Sequence, residues 1–205
     1  MKVYSATERD SDIDRCHPWG TAASDPSHRY YDFKKNPHLI SKVLEDFIEY
    51  SAFPAIQRFY EMVEWVNGHD SPFESNDCAF SGIVENKDSK WSKKLQCSGR
   101  FMVFYREVEL NVSDAHVEWL KGACNHYLSQ LNTALEFGVV GINLMKVRYL
   151  ALPENNEAGH EVSFTFWAWG DDEAEVMENL EEVFLTLFEA LKGVAQELME
   201  AMTEG

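Results

Sequence analysis

Two pairs of segments in this chain alternate apolar and polar residues, and each pair runs into a long stretch of helical period. CAFSGIVE (78–85) and GRFMVFYREVELN (99–111) are joined by the lysine-rich connection NKDSKWSKKLQ, and VGINLMKVRYLAL (140–152) and HEVSFTFWAW (160–169) by PENNEAG. Alternation with β-branched and aromatic residues reads as strand, and strands this close in sequence pair as antiparallel hairpins. A helix is expected after each hairpin, over 113–137 with Ser113 as its cap and over 170–202 with Asp171 and Asp172 favoured by the helix dipole. Strand–strand–helix thus occurs twice, over 78–137 and 139–202. The strands start near 78 and 100 in one unit and near 139 and 161 in the other, 22 residues apart each time, which fits an internal duplication. The fold class that follows is α+β: a four-stranded antiparallel sheet with both helices on one face.

The chain ahead of this body, 78–205, reads differently. Asn36-Pro37 is a good helix start, and Leu39, Ile40, Val43, Leu44, Phe47 and Ile48 recur at three and four residues. Pro54 is expected to kink or split this helix, which resumes with Ile56, Phe59, Tyr60, Val63 and Val66 and stops at Asn67-Gly68. Residues 37–68 therefore form a kinked helical arm. Residues 1–36 are read as irregular, with turn formers in CHPWG and SDPSHRYYDF and with Trp19, Tyr30, Tyr31 and Phe33 as anchors. At 205 residues and 45% hydrophobic content, one domain overall accounts for the chain.

Strands alternate sides, so each sheet face has its own composition. Over 101–110 one side carries Met102, Phe104, Val108 and Leu110, and the other Phe101, Val103 and Tyr105. Over 162–169 one side carries Val162, Phe164, Phe166 and Ala168, and the other Thr165, Trp167 and Trp169. Both faces are partly apolar, and two helices cover only one. The second is covered by the N-terminal region, by another copy in a homodimer, or by a small molecule in a pocket walled by Tyr105, Trp167 and Trp169.

The C-terminal helix has a second pattern. At ~100° per residue, Val176, Leu180, Val183, Phe184, Leu187, Leu191, Val194 and Leu198 gather on one side. Asp171, Glu175, Glu178, Glu182, Glu189 and Glu200 fall within ~60° of one another on the opposite side, with Thr186 and Gln196 in the gaps. A four-residue step is ~6 Å along a helix, a spacing comparable to that of phosphates along a nucleic acid strand. Arginine and lysine clusters built for phosphate also accept carboxylates. Like charges at i,i+4 weaken a helix by ~0.2–0.5 kcal/mol per pair, and almost no lysine or arginine stands at i+4 here to offset it. A chain selected only for helix stability would interleave lysine.

The formal charge is −17, from 35 acids against 18 bases, which disfavours direct binding to nucleic acid or anionic lipid. The N-terminus has no apolar signal segment, no run is long enough to span a membrane, and the four cysteines form no CxxC pair. A cytoplasmic protein with reduced thiols is the expectation. Cys78 and Cys97 are expected as adjacent buried thiols. GxSxG, HExxH and phosphate-binding glycine loops are absent. His17 and His28 with Asp14, Asp25 and Asp32 could form a loop metal site, but histidines in a surface loop are commoner, so no metal or cofactor is expected. The four lysines around Trp91, Lys87, Lys90, Lys93 and Lys94, are read as a loop tip that contacts an acidic protein surface, keeps the loop soluble, or pairs with the acidic helix of a neighbouring subunit. A small enzyme using Cys16 or His17 is a distant third reading.

The functional expectation is a non-enzymatic module that binds a basic, nucleic-acid-binding protein through Asp171, Glu175, Glu178, Glu182 and Glu189. In its sharp form this is a nucleic-acid mimic of the kind phages direct against host defence. The alternative is a ligand-binding or oligomeric assembly module working through the aromatic face, with Tyr105, Trp167 and Trp169 at the contact.

Overall fold

The computed structural model describes residues 1–9, 16–18, 31–131, 135–152 and 158–204. Trp19 and Tyr30, expected as anchors, and His28, Asp14 and Asp25, weighed as metal ligands, lie outside the described residues. In chain order the elements are β1 (Lys2–Arg9), β2 (Cys16–His17), a 3-10 turn at Pro37–Leu39, α1 (Ile40–Val43), α2 (Glu45–Ile48), α3 (Pro54–Asn67), β3 (Phe73–Glu85), β4 (Leu95–Tyr105), a 3-10 segment at Val108–Val112, α4 (Asp114–Gln130), β5 (Gly138–Tyr149), β6 (Ala158–Gly170) and α5 (Glu173–Glu204).

The two expected hairpins are present, and their second strands meet at the centre of one sheet in the order β1-β5-β6-β4-β3. β3, β4, β6 and β5 are antiparallel throughout, with Phe101 opposite Phe164 and Ile142 opposite Phe164 on its other side. The four-stranded sheet is incomplete as an expectation, because the region read as irregular supplies two further strands. β1 and β2 lie end to end along β5, both parallel to it, with Lys2 opposite Val139 and His17 opposite Tyr149. A parallel edge strand needs only one apolar side and no neighbouring turn, so local pattern does not announce it.

The helical arm also needs correction. Leu44 leaves the helical region (φ −80°, ψ 72°), which breaks the first half into single turns at α1 and α2. Phe53 is extended (φ −81°, ψ 139°), as the residue before a proline prefers, and Pro54 opens α3, so of the two expected outcomes the helix is split there and not kinked. α2 and the turn after it lie along the outer edge of β3. There the Tyr50 hydroxyl accepts a hydrogen bond from the Ile83 N–H (3.1 Å), and Asp46 accepts one from the Phe80 N–H (3.4 Å). Gly82, at φ +66°, lets the strand bulge beside the Tyr50 ring. An edge whose outward donors are capped and whose line is bent does not template pairing with another chain.

One face of the sheet carries α3, α4 and α5, with α5 between the other two. Val140, Ile142, Val162, Phe164, Phe166, Phe101, Val103 and Phe80 point into this layer and meet Phe59 and Val63 of α3 and Leu180, Phe184 and Leu187 of α5. Beyond the end of β4, Asn111 replaces a missing strand partner. It is fully buried, its Oδ1 accepts from the Tyr105 N–H (2.8 Å), and its Nδ2 donates to the Tyr105 carbonyl (2.8 Å). Asn111→Ala strands both backbone groups away from water and is expected to cost about 2 kcal/mol in chemical denaturation; a loss of only a few tenths would show that another partner replaces the amide.

Candidate functional site

The start of α5 is built by its own acids. Asp172 Oδ1 accepts from the Glu175 N–H (3.0 Å), and Glu175 Oε2 reaches back to the Asp171 N–H (2.6 Å), so the first orphan donors of the helix are met locally. Lys93 then arrives from the β3–β4 connection. Its ammonium lies 3.0 Å from Asp171 Oδ2 and 2.5 Å from Glu175 Oε1, and 4.6 Å from the Phe137 ring centroid. Its hydrogen bonds draw both carboxyls below their usual range, while Glu175 and then Asp171 raise the lysine.

The five expected partner-binding acids therefore fall into different settings. Asp171 and Glu175 are engaged inside the chain. Glu178 and Glu182 are exposed, and no ion pair reaches either among the described residues. Glu189 is exposed and pairs with Lys192 (2.9 Å), whose ammonium lies 3.9 Å from the Phe188 ring centroid. Thr186 does not continue the exposed file, since it is buried and donates to the Glu182 carbonyl (2.8 Å). The lysine relief missing at i+4 is supplied partly by Lys93, from far along the chain. Only the folding of that connection onto the helix start reveals it.

The second sheet face has two closed ends and a more open middle. At one end the Trp91 and Trp169 rings stack with centroids 4.2 Å apart and planes at 20°, and the Trp169 indole donates to Gln96 (3.1 Å). Asn86 ties down the connection by donating to the carbonyls of Trp91 (3.0 Å) and Lys93 (2.7 Å). Lys2 lies 4.4 Å from the Trp91 ring centroid. Of the expected lysine tip, Lys87, Lys90 and Lys94 are exposed, whereas Lys93 turns onto the start of α5 and Trp91 is buried.

At the other end, His17 lies over Phe104 (centroids 4.4 Å apart). Its Nδ1 is 3.3 Å from Asn76 Oδ1, and the Asn76 amide donates to Glu161 (2.8 Å), which makes the histidine the donor in the first contact. Glu74 is held by Lys34 (2.5 Å), with Arg106 Nε at 3.6 Å. Burial lowers the His17 imidazole to about 4. Between the two ends, half-buried Trp167 borders a depression of about 380 Å³ with Thr165, Ser98, Ser81 and Arg100.

Trp167 and Trp169 share this face, but Tyr105 does not. Phe101 stands opposite Phe164 and Val103 opposite Val162, so the odd residues of β4 line up with the even residues of β6. Tyr105 is consequently on the helix side, 1% exposed, with its hydroxyl donating to the His116 carbonyl (2.9 Å). It is a core residue and not a wall of the aromatic face.

Three of the four thiols are held protonated by burial. Burial raises Cys97 and Cys124 to about 12 and holds Cys78 well above its ordinary value. Cys78 stands opposite Phe101 and Cys97 opposite Ile83, so the two are not the adjacent pair expected. Among the described residues no three histidine, cysteine or carboxylate side chains converge as metal ligands, and no helix is long and apolar enough to cross a membrane. Comparison with protein-family models, curated proteins and solved structures finds no match to this chain.

Proposed function

We propose that this protein is a non-enzymatic binding module that meets a basic partner through the outer surface of α5, in its sharpest form as a mimic of nucleic acid. One observation carries the reading. Glu178 and Glu182 are exposed one turn apart on a continuous helix, with no cation paired to either among the described residues, whereas Asp171 and Glu175 at the same helix's start have one. Unrelieved like charge costs helix stability, and charge held against that cost is available to a partner's lysines and arginines.

The test compares the native chain with a variant carrying Glu178→Gln, Glu182→Gln and Glu189→Gln. The native protein is expected to retain a nucleic-acid-binding protein from host lysate at low salt, to release it to added nucleic acid, and to lose about tenfold or more in affinity in the variant. Equal retention by both forms rejects the reading.

The alternative, a ligand-binding or assembly role for the aromatic face, is favoured by the depression beside Trp167 and by Tyr4, which is 50% exposed on the same side of the sheet. Trp167→Ala separates the two readings. It leaves α5-mediated capture unchanged and abolishes any function that resides on the sheet.

A further inference from the structure

We propose that the middle of the second sheet face binds a neutral oligosaccharide across Trp167 and Tyr4, a reading that rests on the ligand-binding role for that face given above. One row of paired residues crosses the sheet there, from Tyr4 through Gly141, Thr165 and Arg100 to Ala79, and all five share the face of Trp167. Glycine keeps the centre of that row flat. A Cβ at Gly141 would come 2.6 Å from Thr165 Oγ1 and 3.4 Å from Trp167 Cζ3, so the indole leans from β6 across β5. Tyr4, 50% exposed, stands beyond Gly141 on β1. Two rings thus flank a glycine on an open face. Toward β4 and β3 the same indole borders the depression of about 380 Å³, a size that suits a small ligand.

The polar groups of this depression select against charge. Arg100 lines it, and its Nε donates to Asp77 Oδ2 (2.6 Å), with the two side chains 45% and 16% exposed. An anion seated on Arg100 meets the Asp77 carboxylate, and a cation seated on Asp77 meets the guanidinium, so neither finds a net countercharge. The pair instead offers a fork of donors beside an acceptor. Ser81 and Ser98, their hydroxyls 3.1 Å apart, add groups that both donate and accept. A ligand that satisfies this set is neutral and bifunctional, and one that also covers the indole has an apolar face. A saccharide has both, with hydroxyls around its rim and C–H groups that pack on the electron-rich face of an aromatic ring. An extended peptide is neutral and bifunctional too, but β4 and β6 are each paired on both sides, so their backbone groups are already used in the ladder. The site shares no residue with Glu178, Glu182 or Glu189, and it stands or falls without the α5 reading.

The test titrates the full chain, labelled for NMR, with maltopentaose, cellopentaose, mannopentaose and chitopentaose, and with adenosine monophosphate as a planar anion. At least one pentasaccharide is expected to shift the amides of Gly141, Thr165 and Trp167 saturably at millimolar concentration. Trp167→Ala is expected to abolish that binding, Arg100→Lys to weaken it about tenfold through loss of the guanidinium fork, and Tyr4→Ala to weaken it severalfold. No saturable shift from any pentasaccharide, or unchanged affinity in any of the three variants, overturns the proposal. Tighter binding of adenosine monophosphate also overturns it, while leaving the face as a ligand site. Self-association in sedimentation that Trp167→Ala abolishes overturns the proposal and the ligand-binding reading beneath it together. Should Trp167→Ala fail to fold, the exposed Arg100→Lys and Tyr4→Ala variants decide the matter, and unchanged affinity in either overturns the proposal.

Discussion

Phe166→Ala is expected to destabilise the protein by about 3–5 kcal/mol, the range seen when a fully buried phenylalanine is truncated. Phe166 is 0% exposed and points from β6 into the helix layer. Its ring meets Phe184 of α5 edge-on at 4.9 Å, with Phe59 of α3 at 6.3 Å and Phe80 of β3 at 6.5 Å. Phe47 of α2 stacks on both Phe59 (4.4 Å) and Phe80 (5.2 Å). Five elements therefore converge on one aromatic cluster, and each ring pair adds about 0.5–1.5 kcal/mol beyond the area it buries. The void cannot close by backbone movement, because the strand beneath is hydrogen-bonded on both sides and the Phe166 ring already covers Gly99, where an added Cβ would come 2.4 Å from it. A domain holds about 5–15 kcal/mol in total, so the variant should melt about 10 °C lower or more. Val84→Ala, at a position 44% exposed, should stay within about 0.5 kcal/mol of the parent. A loss below about 1 kcal/mol for Phe166→Ala in urea unfolding would mean that the aromatic cluster does not organise the core.

What could be read ahead of the structure was local. α5 was legible because Val176, Leu180, Val183, Phe184, Leu187, Leu191 and Val194 hold helical spacing over most of its length, and all seven are fully buried. The hairpins were legible because both strands of each alternate and lie close in sequence. β1 was not, since its pairing with β5 joins strands far apart in sequence with no turn to mark it. Pro54 was ambiguous because proline both interrupts helices and starts them, and Leu44 and Phe53 decided the matter through backbone angles that side-chain identity does not fix.

The candidate surfaces divide along the same line. The angular file of acids on α5 follows from helix geometry alone. Which of those acids are already occupied depends on where a distant lysine lands, and Lys93 lands on the first two. The membership of the aromatic face turned on parity across the β4–β6 seam. A shift of one residue there exchanges the faces, so the separation of Tyr105 from Trp167 became visible only with Phe101 opposite Phe164.

Acidification should act on the fold through His17. Its imidazole sits at about 4 in the folded chain against 6.5 for an ordinary histidine, chiefly because burial disfavours the charged form. The Asn76 hydrogen bond opposes that shift, Lys34 adds to it, and Asp32 works against it. Below 6.5 the unfolded chain takes up a proton that the folded chain refuses, so stability is full above that value, falls as pH drops toward 4, and is flat in this respect below it. The contribution lost across the window is about 3 kcal/mol, comparable to a large core truncation. Asp32, Asp171 and Glu175, all lowered in the folded state, act in the same sense but lose their contribution only in the carboxylate range, at the acid end of this window and below it. Unfolding free energies at about pH 7, 5.5 and 4.5 for the parent and for His17→Gln isolate the effect, because glutamine can still donate to Asn76 but does not titrate. The difference between the two proteins should change by about 2–3 kcal/mol across that range, in the direction of acid loss for the parent. Parallel curves would mean that His17 takes up its proton while still packed on Phe104, and that β2 remains seated on the sheet when charged.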